Sequence, residues 1–308
     1  MEKEQPMNIL VTGAAGFIGH HIVNALKKEN ANIIGLDIAD MSDLEIKRIE
    51  GDITDDVAME GVRHYLENLE AIKIDTIIHL AAIASPPLAQ KEPARAWLTN
   101  VQGTHNVLQL AQKIGCPRII FFSSAHVYGI SPKYLPTDEN HPLALHDLYT
   151  TTKIMGEELC RLFYENHGIS YTALRLWNAY GPGQSKDYFI GAKLTQAKNG
   201  KLTIRNEGVT KDWIHVKDVA RATMMALKSH YVGPLNVGTG IETSLGEIVK
   251  TFSESFDILA TKEEVGDEGP TRMKCDPKRI KSTLGWQHEI SFRDGLEELI
   301  KLSQASPR

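Results

Sequence analysis

The chain of 308 residues has only three cysteines, Cys116, Cys160 and Cys275, and they lie far apart. They form no CxxC pair and no zinc-ligand spacing, and an odd count without a framework excludes a disulfide scaffold and points to a reducing compartment. Long hydrophobic runs are also missing. The longest, Ile77-Ile-His-Leu-Ala-Ala-Ile-Ala84, is too short to span a bilayer. The polar start, Met1 to Pro6, lacks the apolar centre of a signal peptide. There is no basic excess: 34 Lys and Arg stand against 39 Asp and Glu, a net charge of −5 with no basic stripe, which argues against a nucleic-acid partner. Mixed runs such as Lys262-Glu-Glu264 read as solvated surface. Internal repeats, low-complexity tracts and flexible linkers are absent. Twelve histidines are present, but no H-E-x-x-H or comparable ligand set, so no metal is expected. These absences together predict a soluble cytoplasmic protein that binds neither nucleic acid nor membrane. An anionic small molecule stays open as a partner, because a few local donors hold one.

What is present is an ordinary globular composition, 42% apolar and 24% charged. At roughly 100–200 residues per domain the length predicts about two domains. The first half alternates short apolar runs with amphipathic stretches. Strands are predicted at 8–11, 32–37, 47–49, 76–80, 118–123 and 171–177. Helices are predicted from a glycine-rich turn to about Lys28, from an Asp55 cap to about Leu69, over Ala94–Ile114, and over Leu148–His167 with Gly168 as the stop. Such alternation implies an α/β fold, a doubly wound parallel sheet covered by helices on both faces. After Gly181-Pro-Gly183 the pattern turns irregular, consistent with a smaller C-terminal substrate-binding region.

Thr12-Gly-Ala-Ala-Gly-Phe-Ile-Gly19 places glycines at 13, 16 and 19, directly between the first strand and the first helix. That is the context of a dinucleotide loop: glycines let a pyrophosphate approach unpaired N–H groups at the helix N-terminus. Asp37 ends the second strand, where a carboxylate accepts from both hydroxyls of an adenosine ribose and repels a 2′-phosphate, so NAD is expected over NADP. Asp52 and Ile53 follow the third strand as candidates for the adenine amine and face; alone, Asp52 equally reads as a turn residue or helix cap.

Tyr149-Thr-Thr-Thr-Lys153 puts a phenol and an ammonium one helical turn apart on one face. An unperturbed tyrosine, with a pKa of about 10, is a poor base at neutral pH. A neighbouring cation favours its phenolate, which can then take a hydroxyl proton while hydride leaves the same carbon. Ser123-Ser124 ends the fifth strand, at the sheet edge where α/β ligands bind, and a hydroxyl there can hold the substrate oxygen. Glycine loop, strand-end serine and YxxxK helix, in that order, are far more specific together than singly.

With these residues the chain resembles the extended short-chain dehydrogenase/reductases, in particular the NAD-dependent nucleotide-sugar epimerase/dehydratase family of the UDP-glucose 4-epimerase-like type. Thr12–Gly19, Asp37, Gly51-Asp52, His79–Ala82, Asn100, Ser123–Gly129, Tyr149–Lys153, Leu174–Pro182, Lys211–Asp218, Asn236–Gly238 and Leu284–Trp286 carry the resemblance over nearly the whole chain. It implies a Rossmann domain over about 1–180, with the catalytic triad Ser124, Tyr149 and Lys153. It implies a substrate region over 181–308, of which about 212–238 returns to the Rossmann domain. Cofactor contacts are implied from Gly13, Gly16, Phe17, Ile18, Gly19, Asp37, Asp52, Ile53, Leu80, Ala81, Ala82, Asn100, Ser123, Tyr149, Lys153 and Trp177. Substrate contacts are implied from Ser124, His126, Asn178, Lys211 and Arg272. Lys211 stands where arginine is common, which keeps the charge but loses the bidentate fork. Arg205 and Arg272 read equally as phosphate ligands or surface charges.

The 4,6-dehydratases of this group carry an Asp-Glu pair where this chain has Ala125 and His126, which disfavours dehydration. His126 then reads as a site-shaping residue, though imidazole can also move protons. The leading expectation is NAD-dependent epimerisation of a nucleotide-diphosphate sugar, at C4 through a 4-keto intermediate. The alternatives are a 4-dehydrogenase or 4-keto reductase using the same triad and, from another class, a non-catalytic NAD-binding sensor or scaffold. A homodimer paired through the helices over 94–114 and 148–167 is expected on family grounds; their apolar stripes suit intramolecular packing equally well.

Overall fold

The computed structural model describes residues 6–69, 73–263 and 271–305, so Met1–Gln5 and Glu264 of the charged run lie outside the described residues. The chain divides into two units, described separately below: 1–127, 143–175 and 220–235 form the first, and 128–142, 176–219 and 236–308 the second.

In the first unit the order runs β1 (Asn8–Thr12), α1 (Phe17–Lys28), β2 (Asn32–Asp37), β3 (Lys47–Glu50), α2 (Asp56–Glu67), β4 (Thr76–His79), α3 (Pro86–Lys91), α4 (Pro93–Trp97), α5 (Gly103–Lys113), β5 (Arg118–Ser124), α6 (Leu148–His167) and β6 (Ser170–Leu176). The strands belong to a seven-stranded parallel sheet in the order β3-β2-β1-β4-β5-β6, closed at its far edge by the later strand β10 (Gly233–Val237). This is the doubly wound Rossmann order, reversing between β1 and β4. Ile9, Leu10 and Val11 are fully buried, as a strand covered on both faces requires. One face packs Leu10, Ile77, Ile119 and Phe121 against Val62, Leu66, Val107 and Cys160 from α2, α5 and α6.

The second unit contains β7 (Asn178–Tyr180), α7 (Phe189–Lys198), β8 (Leu202–Ile204), β9 (Thr210–His215), α8 (Val216–Leu227, whose last turns join the first unit), β11 (Glu242–Ser244), α9 (Leu245–Phe256), β12 (Ala260–Lys262), β13 (Arg272–Met273), α10 (Lys278–Leu284) and α11 (Phe292–Ala305). Its core is Tyr180, Ile190, Trp213, Ile248, Phe252, Leu296 and neighbours. β9 is its centre, pairing with β7 and β13 in parallel and with β11 antiparallel.

One predicted element differs. The single helix expected over 94–114 is α4 and α5 joined by a π-helical turn, Leu98–Gln102. Asn100 lies in that wide turn, 2% exposed, and its amide is filled on every side. Its Oδ1 accepts from the Ile83 N–H (2.7 Å), and its Nδ2 donates to the Ile83 carbonyl and to Thr152 Oγ1 (both 3.0 Å). Such a turn is a single irregular turn inside a helix, and the apolar spacing on either side of it still reads as helix.

Gly13 has φ +73°, and a Cβ there would lie 2.6 Å from the backbone nitrogen of Ala81. Gly61, in exposed α2, has nothing within 4 Å of a Cβ. Gly13→Ala is therefore expected to destabilise the protein by more than about 1 kcal/mol, from left-handed strain plus overlap. Gly61→Ala should stabilise it by about 0.5–1 kcal/mol through helix propensity. Denaturant unfolding of the two variants checks both signs.

Candidate active site

The phosphate loop is built from the turn between β1 and α1. The first turn of α1 has no side-chain cap, so its N–H groups are available to an anion. A Cβ on Gly19 would lie 2.2 Å from the Gly13 carbonyl, so this turn closes only on glycine. Asp37 holds the loop from the end of β2. Its Oδ2 accepts from the Ala15 N–H and its Oδ1 from the Ala39 N–H, both at 3.0 Å. Each oxygen keeps a lone pair for a ribose hydroxyl. Phe17, Ile18, Leu80, Ala81 and Ala82 are partly open along the same edge. Asp52 forms a turn, its Oδ1 accepting from the Thr54 N–H and hydroxyl, both at 2.8 Å. Ile53 is 4% exposed and belongs to the core, against Gly103.

His79 ends β4 fully buried, and burial pushes its pKa down to about 3, with Lys153 acting in the same direction. The ring is neutral and bridges two elements. Its Nε2 contacts Thr104 Oγ1 at 3.0 Å, and its Nδ1 contacts Thr12 Oγ1 at 2.7 Å. Thr104 donates its own proton to the Asn100 carbonyl (2.6 Å), which assigns the hydrogen to Nε2. This link between the loop-bearing strand and the π-helical turn carries no sequence signal beyond the residue types.

Ser124 ends β5, and Tyr149 and Lys153 lie on α6, which packs against that strand. All are nearly buried: 6%, 6% and 5% exposed. Asp147 caps α6, accepting from the Thr150 N–H at 2.7 Å, and so sets where the helix that carries Tyr149 begins. Tyr149 packs with Ile83, Ala89 and Ala96. The Lys153 ammonium donates to the Phe122 carbonyl (2.8 Å) and lies 6.0 Å from the Tyr149 ring centre. Burial pushes its pKa down to about 8, opposed by the negative charge of Glu157. The Ser124 hydroxyl accepts from the His126 N–H at 3.2 Å, which leaves its proton to donate outward. The His126 ring meets the Tyr149 ring edge to face, 5.8 Å between centres.

Glu157 is the residue that motif reading missed. Its Oε1 accepts from the Ser123 hydroxyl (2.5 Å) and from Arg175 Nε (2.9 Å), and its Oε2 from Arg175 Nη2 (2.7 Å). Ser123 is thus turned into this buried ion pair. The signal was in the spacing: Glu157 lies four residues after Lys153, on the same helical face.

A model of the NAD dependent epimerase/dehydratase family matches residues 9–238. The chain belongs to the NAD dependent epimerase/dehydratase family. It is 34% identical over 319 residues to a putative UDP-glucose 4-epimerase of Methanocaldococcus jannaschii, covering 95% of this chain and 97% of that one. It is 31% identical over 318 residues to UDP-glucuronic acid decarboxylase 6 of Arabidopsis thaliana, covering 98% and 91%. Among solved structures it superposes on the UDP-glucose 4-epimerase of Thermotoga maritima with UDP-glucose, with TM-score 0.89, 28% identity and coverage of 97% and 99%. NAD is the family's cofactor, and the open α1 N-terminus, the Gly13 turn and Asp37 fit it.

The second unit holds the remaining predicted positions. Asn178 donates from Nδ2 to the Asp212 carbonyl at 2.9 Å. Lys211 is pushed down in pKa by burial. Asp212, beside it, is wholly buried and accepts from the Thr239 N–H and hydroxyl, the Gly240 N–H and the Cys275 N–H. It organises the turn after β10. Arg272 is exposed and forms a two-pronged pair with Glu242, at 3.0 and 2.5 Å. Arg205 pairs with Glu263. Trp177 is 3% exposed, and its indole N–H has no partner among the described residues.

Glu157→Gln leaves a buried guanidinium without its counter-charge, which is expected to destabilise the protein by about 3–5 kcal/mol. It also removes the charge that supports protonated Lys153. Lys153 loses its proton as pH rises through about 8. In Glu157→Gln that value falls, so the alkaline limb of the pH–rate profile moves to lower pH. Unfolding and pH–rate measurements on the variant check the two effects.

Proposed function

We propose that the protein epimerises a nucleotide-diphosphate sugar at C4, with Tyr149 as base, Lys153 as its electrostatic partner and Ser124 as the hydroxyl that orients the substrate oxygen. The observation that carries the proposal is the buried Tyr149–Lys153 pair, with the Lys153 ammonium bonded to the strand that ends at Ser124, and with Ala125 and His126 following instead of two carboxylates. The ammonium favours the phenolate, so Tyr149 takes the proton of the C4 hydroxyl. Ser124 donates to the same oxygen and holds it as it becomes a carbonyl. NAD, when bound, supplies reversible hydride acceptance at that carbon. Tyr149 returns the proton once the keto sugar has presented its other face.

For the nucleotide, the second unit offers a cavity of about 470 Å³ whose lining includes Phe189, Lys193, Arg205, Val209, Lys211 and Leu245. Its aromatic and cationic walls suit a base and a diphosphate, with Asn178 as a further contact. The matched relatives support both UDP-glucose and UDP-glucuronic acid as trial substrates. A second reading, decarboxylation, is favoured by the match to the Arabidopsis decarboxylase: a uronic acid oxidised at C4 is a β-keto acid and loses CO2 readily. We also place a homodimer interface on the apolar side chains that α4, the turn after it and α6 expose: Trp97, Leu98, Met155, Leu162 and Tyr164.

Product analysis by NMR with UDP-glucose, UDP-N-acetylglucosamine and UDP-glucuronic acid, each with substoichiometric NAD, tests the reaction. The expected result is the 4-epimer without net NADH, and at least about a hundredfold loss in Tyr149→Phe. A pentose product with CO2 establishes the second reading, and stoichiometric NADH contradicts both. Sedimentation of wild type and Leu98→Asp tests the dimer, with a monomer expected only for the variant.

A further inference from the structure

The loop between β5 and α6 returns to the helix with two polar side chains that the proposed reaction does not use, His146 and Asp147. Next to them stands His126. One ligand atom from each of these three residues lies within 4.8 Å of the others. The His126 and His146 rings are neighbours, 6.4 Å between centres and 19° between planes.

The hydrogen bonding of His146 is the second observation. Its Nδ1 faces the Ala144 carbonyl at 3.4 Å, and its Nε2 faces Asp147 Oδ2 at 3.1 Å. Both ring nitrogens therefore meet oxygen acceptors. With Nδ1–H donated to the backbone, Nε2 is the free lone pair, the arrangement usual in metal-ligating histidine. Asp147 is oriented too: its Oδ1 is held by the Thr150 N–H, and Oδ2 is the oxygen turned to His146.

We propose that His126, His146 and Asp147 form a site for a divalent transition-metal ion of the zinc class, tying the end of β5 to the start of α6. Two imidazoles and one carboxylate suit zinc, cobalt or nickel and not the hard cations magnesium and calcium. Zinc bonds of about 2.0–2.1 Å put tetrahedral ligand atoms about 3.4 Å apart, so closure needs a side-chain shift of roughly 1 Å. A solvent molecule completes the fourth position. His146 stands at the solvent side, and its side chain is 22% exposed, which gives the ion its route in. Because His126 abuts the Tyr149 ring, a bound ion fixes the two elements that present Ser124 and Tyr149, and holds His126 away from substrate.

The test is direct binding to the full-length protein, stripped with chelator and titrated with Co2+, followed by its visible d–d absorption and by thermal unfolding. Wild type is expected to take up one ion per chain with a tetrahedral spectrum and a raised melting temperature. His146→Gln and Asp147→Asn are each expected to weaken binding by about 10–100-fold. Asparagine still caps α6, so Asp147→Asn keeps the helix start. His20→Gln, at the separate His20–Asp43 pair, is expected to bind as wild type does. Affinity unchanged in both cluster variants overturns the proposal. So does the absence of a one-ion spectrum in wild type.

Discussion

A lysine ammonium taken out of water is the constraint on which the rest of the site depends. Lys153 lies in the middle of the packing between α6 and β5, where burial pushes its pKa down. It stays within reach of a charged state through two provisions: the Phe122 carbonyl at the end of β5 and the Glu157 carboxylate one turn along α6. Glu157 is itself buried, and Arg175 and Ser123 donate to its carboxylate. Helix and strand must approach closely for this to work. Gly156 permits it, since a Cβ there would lie 2.4 Å from the Phe121 ring. A chain of charge satisfaction thus runs from β6 through α6 to β5.

This chain explains why adjacent serines at the end of β5 differ. Ser123 turns inward to Glu157, while Ser124 keeps its proton free by accepting from the His126 N–H. It also places the Asn100 turn. Asn100 reaches Thr152, between Tyr149 and Lys153 on α6, so the widened turn braces the helix that carries both. The neutral His79 bridge extends the brace to β1 and the phosphate loop. Loop, turn and helix are fixed to one another by polar groups that are satisfied inside the sheet's cover.

Much of this was legible in the residues. The glycine spacing, Asp37 at a strand end and the Tyr149/Lys153 interval each express a local rule, so fold class and loop could be read directly. What escaped reading involves partners far apart in sequence. Arg175 is 18 residues from Glu157, and Asn100 is 52 from Thr152. No local period encodes these pairings; only the folded sheet brings them together. The π-helical turn was hidden for a related reason: the spacing on either side of it reads as helix, and only the fold shows the Asn100 amide bonded in the core. Asp212 was only one member of the Lys211–Asp218 stretch; its carboxylate is filled by four backbone and side-chain donors, a role visible only when Thr239, Gly240 and Cys275 are in place.

The account stands on the buried cation acting on Tyr149. The most direct measurement is a single turnover of the NAD-loaded protein with a substrate found in the sugar panel, following transient NADH absorbance in wild type and Lys153→Met. The methionine fills the buried space without charge. The account predicts a loss of about 10²–10⁴-fold in the rate for Lys153→Met, partly restored as pH rises and the phenol ionises unaided. Equal rates in the two proteins, with NAD bound to both, would contradict it.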